Sequence, residues 1–188
     1  MFDSQEILAA VVRHWPIWVV TAVLVVAAVI DGIQLKVPNW ITFPMIIAGW
    51  VYSFSYFGWA GLGWSLLATV VGLALLLPLY AIGGMGAGDV KLLAGIGAWV
   101  WTVHTLYSFA WTAVFGGIIA VLMVWYRKAW EKHSTQFFAI INEVVTIKNP
   151  ETLATIAAER KPRMFLLPYG IPMAIGTIFY FAMSGMLL

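Results

Sequence analysis

Long apolar runs, broken by short polar or glycine-containing stretches, dominate this chain. Six windows stand out: Pro16 to Ile30 and on past Asp31, Trp40 to Phe57, Leu62 to Tyr80, Val90 to Tyr107, Phe109 to Tyr126, and Phe165 to Leu187. Crossing a hydrocarbon core ~30 Å thick takes roughly 20 mostly apolar residues at ~1.5 Å of rise each. Each window meets or approaches that length. The pattern therefore predicts an all-α, polytopic integral membrane protein with about six transmembrane helices. It forms a single membrane-embedded domain over residues 1–188, in which 127–163 is a cytoplasmic loop between helices five and six.

Composition agrees. Only 10% of residues are charged, against about a quarter in soluble domains, so lipid is the expected solvent. Arg13 ahead of the first window suggests a signal peptide as the competing reading. However, the run is long, Pro16 opens it, and no small-residue cleavage pattern precedes Asp31 and Lys36. The absence of cysteine excludes a disulfide framework, a thiolate zinc site and a cysteine nucleophile. His14, His104 and His133 fall in separate segments without ligand spacing, so no metal site is expected. A net charge of +2 without a long basic tract gives no reason to expect nucleic-acid binding.

Basic residues set the orientation. Arg13 precedes the first window, Lys36 follows it, Lys91 opens the fourth, and Arg127, Lys128, Lys132, Lys148, Arg160, Lys161 and Arg163 lie between the fifth and sixth. Placing the Lys36 side in the cytoplasm leaves nine of the ten basic residues inside, so both termini are expected outside the cytoplasmic membrane. Trp59, Trp64, Trp99, Trp101 and Trp111 then fall at the outer interface, with Trp125 and Trp130 at the inner one. The 127–163 loop mixes apolar and charged residues. It suits either short interfacial helices or a loop packed against the bundle.

Six of the eight acidic residues lie in the N-terminal tail or this loop, leaving Asp31 and Asp89 at the margins of spans. An ionisable group there is expensive unless it faces a polar cavity or partner. The plainer alternative is that each marks a helix end. Yet both fall on the cytoplasmic side, where they can meet at one depth. Two close carboxyls share a proton rather than both ionising, and such a pair supplies the base and the acid that peptide hydrolysis needs.

Around Asp89 the sequence reads GGMGAGDVKL, which fits neither a dinucleotide fingerprint nor a P-loop. Gly83, Gly84, Gly86 and Gly88 instead suit a tight turn with close packing, and Gly72 in the third window offers a comparison position. After Asp31 comes GIQLKVPNW, in which Pro38 restricts the chain and Asn39 is a plausible N-cap. Pro168, Gly170 and Pro172 are awkward in a regular helix and suggest a bent entrance or a wall of the same cleft. Ordinary helix capping explains any one of these features equally well.

In combination they resemble the prepilin leader peptidase family, the GxGD membrane aspartic proteases. Asp31, Lys36 and Val37-Pro38-Asn39 look like that family's early aspartate, basic patch and IPN-like element. Gly86-Ala87-Gly88-Asp89-Val90-Lys91 looks like its GxGDxK signature. Pro168-Tyr169-Gly170-Ile171-Pro172 looks like its late PYGP-like element, interrupted by Ile171. The resemblance implies that Asp31 and Asp89 are the catalytic pair and that Lys36, Pro38, Asn39, Gly86, Gly88, Lys91, Pro168, Tyr169, Gly170 and Pro172 shape the cleft. It implies cleavage of a basic leader from pilin-like or preflagellin-like precursors at the cytoplasmic membrane face, with no metal or organic cofactor. The chain lacks the cysteine-bearing insertion of larger members, which argues against an accompanying N-methylation activity. Its size and layout look more like the compact peptidases of Tad or Flp-type pili, although that comparison explains the 127–163 loop less readily; an archaeal preflagellin peptidase is a related reading. Two readings from other classes remain: a proton- or cation-coupled transporter using Asp31 and Asp89, against which stands the lack of repeated half-motifs, and a noncatalytic assembly protein.

Overall fold

The computed structural model describes residues 14–81, 83–126 and 168–187. They form four helices: α1 Trp15–Gln34, α2 Asn39–Ala81, α3 Ala87–Tyr126 and α4 Gly170–Met183, with no strand among the described residues. The first three are long and apolar enough to cross a membrane. The 127–163 loop lies outside the described residues, as do Arg13 and Trp130.

Helix α1 carries Pro16 in its first turn, where a missing N–H leaves no hydrogen bond unmade. It ends in a left-handed Leu35 whose N–H donates to the Asp31 carbonyl at 2.8 Å. Asp31 thus lies a full turn inside the helix rather than at its edge.

The second and third apolar windows form the single element α2, which turns at Gly58 with φ 63° and ψ −153°. That conformation is essentially restricted to glycine. Trp50 Nε1 donates to Thr69 Oγ1 at 3.0 Å across 19 residues, which in a straight helix would lie about 28 Å apart. Helix α2 therefore folds back on itself as two antiparallel legs.

Helix α3 bends at Trp101, with φ 64° and ψ −179°, and not near Ser108, where the gap between the fourth and fifth windows falls. Around Ser108 the helix is continuous, and Thr112 Oγ1 donates to the Ser108 carbonyl at 2.7 Å. The bend is held by tertiary contacts. The Trp101 ring meets Phe57 edge-on at 5.1 Å, and Thr105 Oγ1 donates to the Trp101 carbonyl at 2.6 Å. The sixth window is also shorter than its apolar pattern: α4 has 14 residues. A Pro168 turn precedes it, and Gly185, at φ 69°, follows it.

The first leg of α3 is the centre of the bundle, with every residue from 92 to 100 buried. Lipid offers no hydrophobic drive between helices, so association depends on close backbone approach and on hydrogen bonds. Both are present. A Cβ on Gly72 would lie 2.8 Å from the Leu93 carbonyl oxygen and one on Gly49 would lie 2.7 Å from Ala98 Cβ. Ser53 and Ser65 both donate to the Ala98 carbonyl, at 3.3 and 2.6 Å, and Trp99 Nε1 donates to the Met45 carbonyl at 2.9 Å. Trp99 is accordingly a core residue, not part of an outward belt, whereas Trp59 and Trp64 are exposed.

These legs sort the chain's turns to two ends. His14, Phe57, Trp101 and Met186 line one cavity at the first end. The C-terminal turn of α1 and the starts of α2, α3 and α4 gather at the other, joined by the contacts described next.

Candidate active site

Asp31 is buried, and its Oδ2 accepts the Gly170 N–H at 2.7 Å. Gly170 is the first residue of α4, so this N–H is one of those that a helix start leaves without an internal partner. The approach requires glycine: a Cβ at position 170 would lie 2.9 Å from Asp31 Cβ and 3.0 Å from its Oδ2.

Asp89 is also buried, in the first turn of α3. Its Oδ2 accepts the Gly86 N–H at 3.0 Å, the backward reach of an acid in a capping box, at the helix end where negative charge is favoured. The glycine stretch is used in two distinct ways. Gly83, at φ 78°, closes α2: its N–H donates to the Tyr80 carbonyl and that of Gly84 to the Leu79 carbonyl, each at 2.9 Å. Gly88 instead packs onto the linker before α2, where a Cβ would strike the Val37 carbonyl oxygen.

Consecutive residues at the start of α4 relate to the two aspartates in different ways: the Gly170 N–H holds Asp31, and the Tyr169 phenol is within range of the Asp89 charge. The linker is tied in a second time by Lys91, whose Nζ donates to Asn39 Oδ1 at 2.9 Å and sits 4.7 Å from the centroid of the Phe43 ring. Asn39 is therefore not the N-cap. It is the first residue of α2, and the Pro38 carbonyl accepts the Ile41 and Thr42 N–H groups at 3.1 and 3.4 Å.

The structure thus gathers Asp31, Asp89, Gly86, Gly88, Lys91, Asn39, Pro38, Tyr169 and Gly170. Lys36 lies exposed on the linker. Pro168 closes the turn into α4 by accepting the Ile171 N–H at 3.1 Å. Pro172 is buried and packs toward Gly116 of α3. Two neighbours escaped the sequence analysis as site residues: Val37, whose carbonyl receives Gly88, and Met85, which is almost wholly buried inside the glycine turn. Met85 is an isolated apolar residue in a glycine-rich stretch, and Val37 opens the Val37-Pro38-Asn39 element; these are the signals available for them.

This geometry presents two buried carboxyls, each oriented by a backbone N–H, at one end of the bundle. The type IV leader peptidase family matches residues 18–121, more than half of the chain, and that span contains both aspartates, the linker and the glycine turn. The chain belongs to the type IV leader peptidase family. It is accordingly a leader-peptidase-type protease, and its apolar helices are those of a membrane protein. No curated protein and no solved structure matches the chain. The family match ends before Pro168, so the link between this leader peptidase's last helix and its aspartates rests on the Gly170 and Tyr169 contacts.

Proposed function

We propose that the chain is an aspartic endopeptidase that removes the basic leader from pilin-like or preflagellin-like precursors, with Asp31 and Asp89 as the catalytic dyad. The observation that carries this is two buried carboxyls, each held by a backbone N–H, at one end of the bundle of a leader peptidase. One aspartate takes a proton from water as it attacks the scissile carbonyl, and the other, protonated, donates to the carbonyl oxygen. The first then returns its proton to the departing amine. Hydrolysis by this route calls on no metal or organic cofactor. Gly86 and Gly170 hold the carboxyls in place, while Gly88 and Lys91 keep the linker against α3.

In this reading α1, both legs of α2, both legs of α3 and α4 make six crossings of the cytoplasmic membrane. Both termini face out, the dyad faces the cytoplasm, and residues 127–163 lie on the dyad's side. The transporter alternative gains no support from the family match.

The deciding experiment compares leader cleavage by matched amounts of folded wild type, Asp31→Asn and Asp89→Asn. Each substitution is expected to lower turnover by at least about 10²-fold, the scale of a lost general acid or base, while leaving membrane insertion intact. Near-normal turnover in either variant sinks the dyad.

A further inference from the structure

Helix α1 packs along α4 and barely touches α2. Between α1 and the first leg of α2 this leaves an apolar groove of about 400 Å³. On α1 it is lined by Ala22, Val23 and Val26, and on α2 by Trp40, Pro44 and Ala48, with Trp99 of α3 as the floor. The spacing on each helix is that of a single face. Both faces are apolar, they run side by side over about two turns, and the short side chains of Ala22 and Ala48 leave the space between them unfilled.

We propose that this groove docks the apolar, membrane-embedded segment of the precursor as a helix, delivering the leader junction to the dyad. The inference rests on the leader-peptidase reading and adds where the substrate lies. Continuity with the site selects the occupant. Val26 lies about 7.5 Å along the α1 axis from Asp31. Trp40 follows Asn39, which is held by Lys91, two residues from Asp89. The α1 and α2 walls therefore run toward the carboxyls, away from Trp99, which also lines the cavity at the opposite end, and a helix lying in the groove emerges beside the carboxyls. The lining contains no charged residue, so a basic leader is left beyond the groove, at the aspartate end. Docking of an apolar helix face into such a groove is an established mode of recognition.

A second apolar groove, of about 480 Å³, lies between α1 and α4 and includes Val25, Val29 and Ile175. Its head is closed. Gly170 sits on Asp31, and Ile171 Cδ1 lies 3.4 Å from where a Cβ on Gly32 would stand.

The natural absence of cysteine makes a direct test simple. Ala48→Cys reports the first groove and Ile175→Cys the second, each oxidised in membranes with a precursor carrying one cysteine in its apolar segment. Cross-linking is expected predominantly at Ala48→Cys. Predominance at Ile175→Cys, or no cross-link at Ala48→Cys because lipid alone fills the groove, overturns the proposal. A second arm uses Ala48→Trp to fill the groove. It is expected to lower kcat/KM for the membrane precursor at least roughly tenfold more than for a soluble peptide holding only leader and junction. Equal effects on the two substrates overturn the groove while leaving the peptidase intact. If Ala48→Trp does not fold, the cross-linking arm decides alone. Wild type that cleaves neither substrate removes the leader-peptidase reading, which cross-linking, a measure of docking without turnover, keeps separate.

Discussion

Gly86 and Gly88 look interchangeable in the GxGD motif, yet their surroundings differ in kind. A Cβ on Gly88 would meet the main chain of Val37, including its carbonyl carbon at 3.0 Å, whereas one on Gly86 would meet Asp89 Oδ2 at 3.1 Å. Backbone does not yield cheaply and a carboxyl can rotate. Gly88→Ala is therefore expected to destabilise the protein by about 1–3 kcal/mol, the usual cost of overpacking, and to lose cleavage with it. Gly86→Ala is expected to keep near wild-type stability and to lose turnover through a displaced Asp89. Unfolding in detergent together with leader cleavage separates the two; a stability loss at Gly86 as large as that at Gly88 contradicts the distinction. Gly72 cannot serve as the comparison position, because a Cβ there would also meet backbone, at Leu93 and Ala94. Gly63 has nothing within 4 Å and is the sound reference.

At the scale of elements, the fold depends on two sharp turns inside apolar sequence. Gly58 and Gly63 make a controlled pair, since a Cβ at either meets nothing within 4 Å. Only Gly58 has positive φ. Gly58→Ala should therefore cost about 1–3 kcal/mol from backbone strain alone, while Gly63→Ala in a helix leg should be neutral or stabilising by up to about 1 kcal/mol. Equal stabilities of the two variants in detergent would show that the fold of α2 does not depend on the glycine conformation. Trp101 does the same work in α3 without glycine's freedom. Its positive φ is retained because Phe57 and Thr105 hold the residue from both sides.

For the whole molecule, the consequence of these hairpins is polarity. The starts of α2, α3 and α4 and the end of α1 share one end, and the turns at Gly58 and Trp101 share the other with His14 and Met186. Lys36 is exposed at the first end and Ser184 follows α4 at the second. With the proposed orientation, an impermeant thiol reagent added to intact cells should label Ser184→Cys and spare Lys36→Cys, and inverted vesicles should reverse the pattern. Labelling of both from one side would show that α4, only 14 residues long, does not cross, and the six-crossing arrangement would fail.

By itself the sequence determined the solvent and the chemistry on offer. Apolar runs are a one-dimensional property, and two acids at the margins of such runs are visible because charge is scarce around them. The gap between the second and third windows, after Phe57 and before Leu62, was readable too, although not that Gly58 makes the turn. Tertiary structure decided what no local pattern encodes. Trp101, and not the gap at Ser108, turns α3, where the Phe57 ring, distant in sequence, packs against it. Asn39 bonds Lys91 and not its own helix start, because α3 brings an ammonium group within reach. Asp31 is held because a glycine 139 residues beyond it supplies a backbone N–H with no side chain in the way, a complementarity that exists only once α1 and α4 are packed.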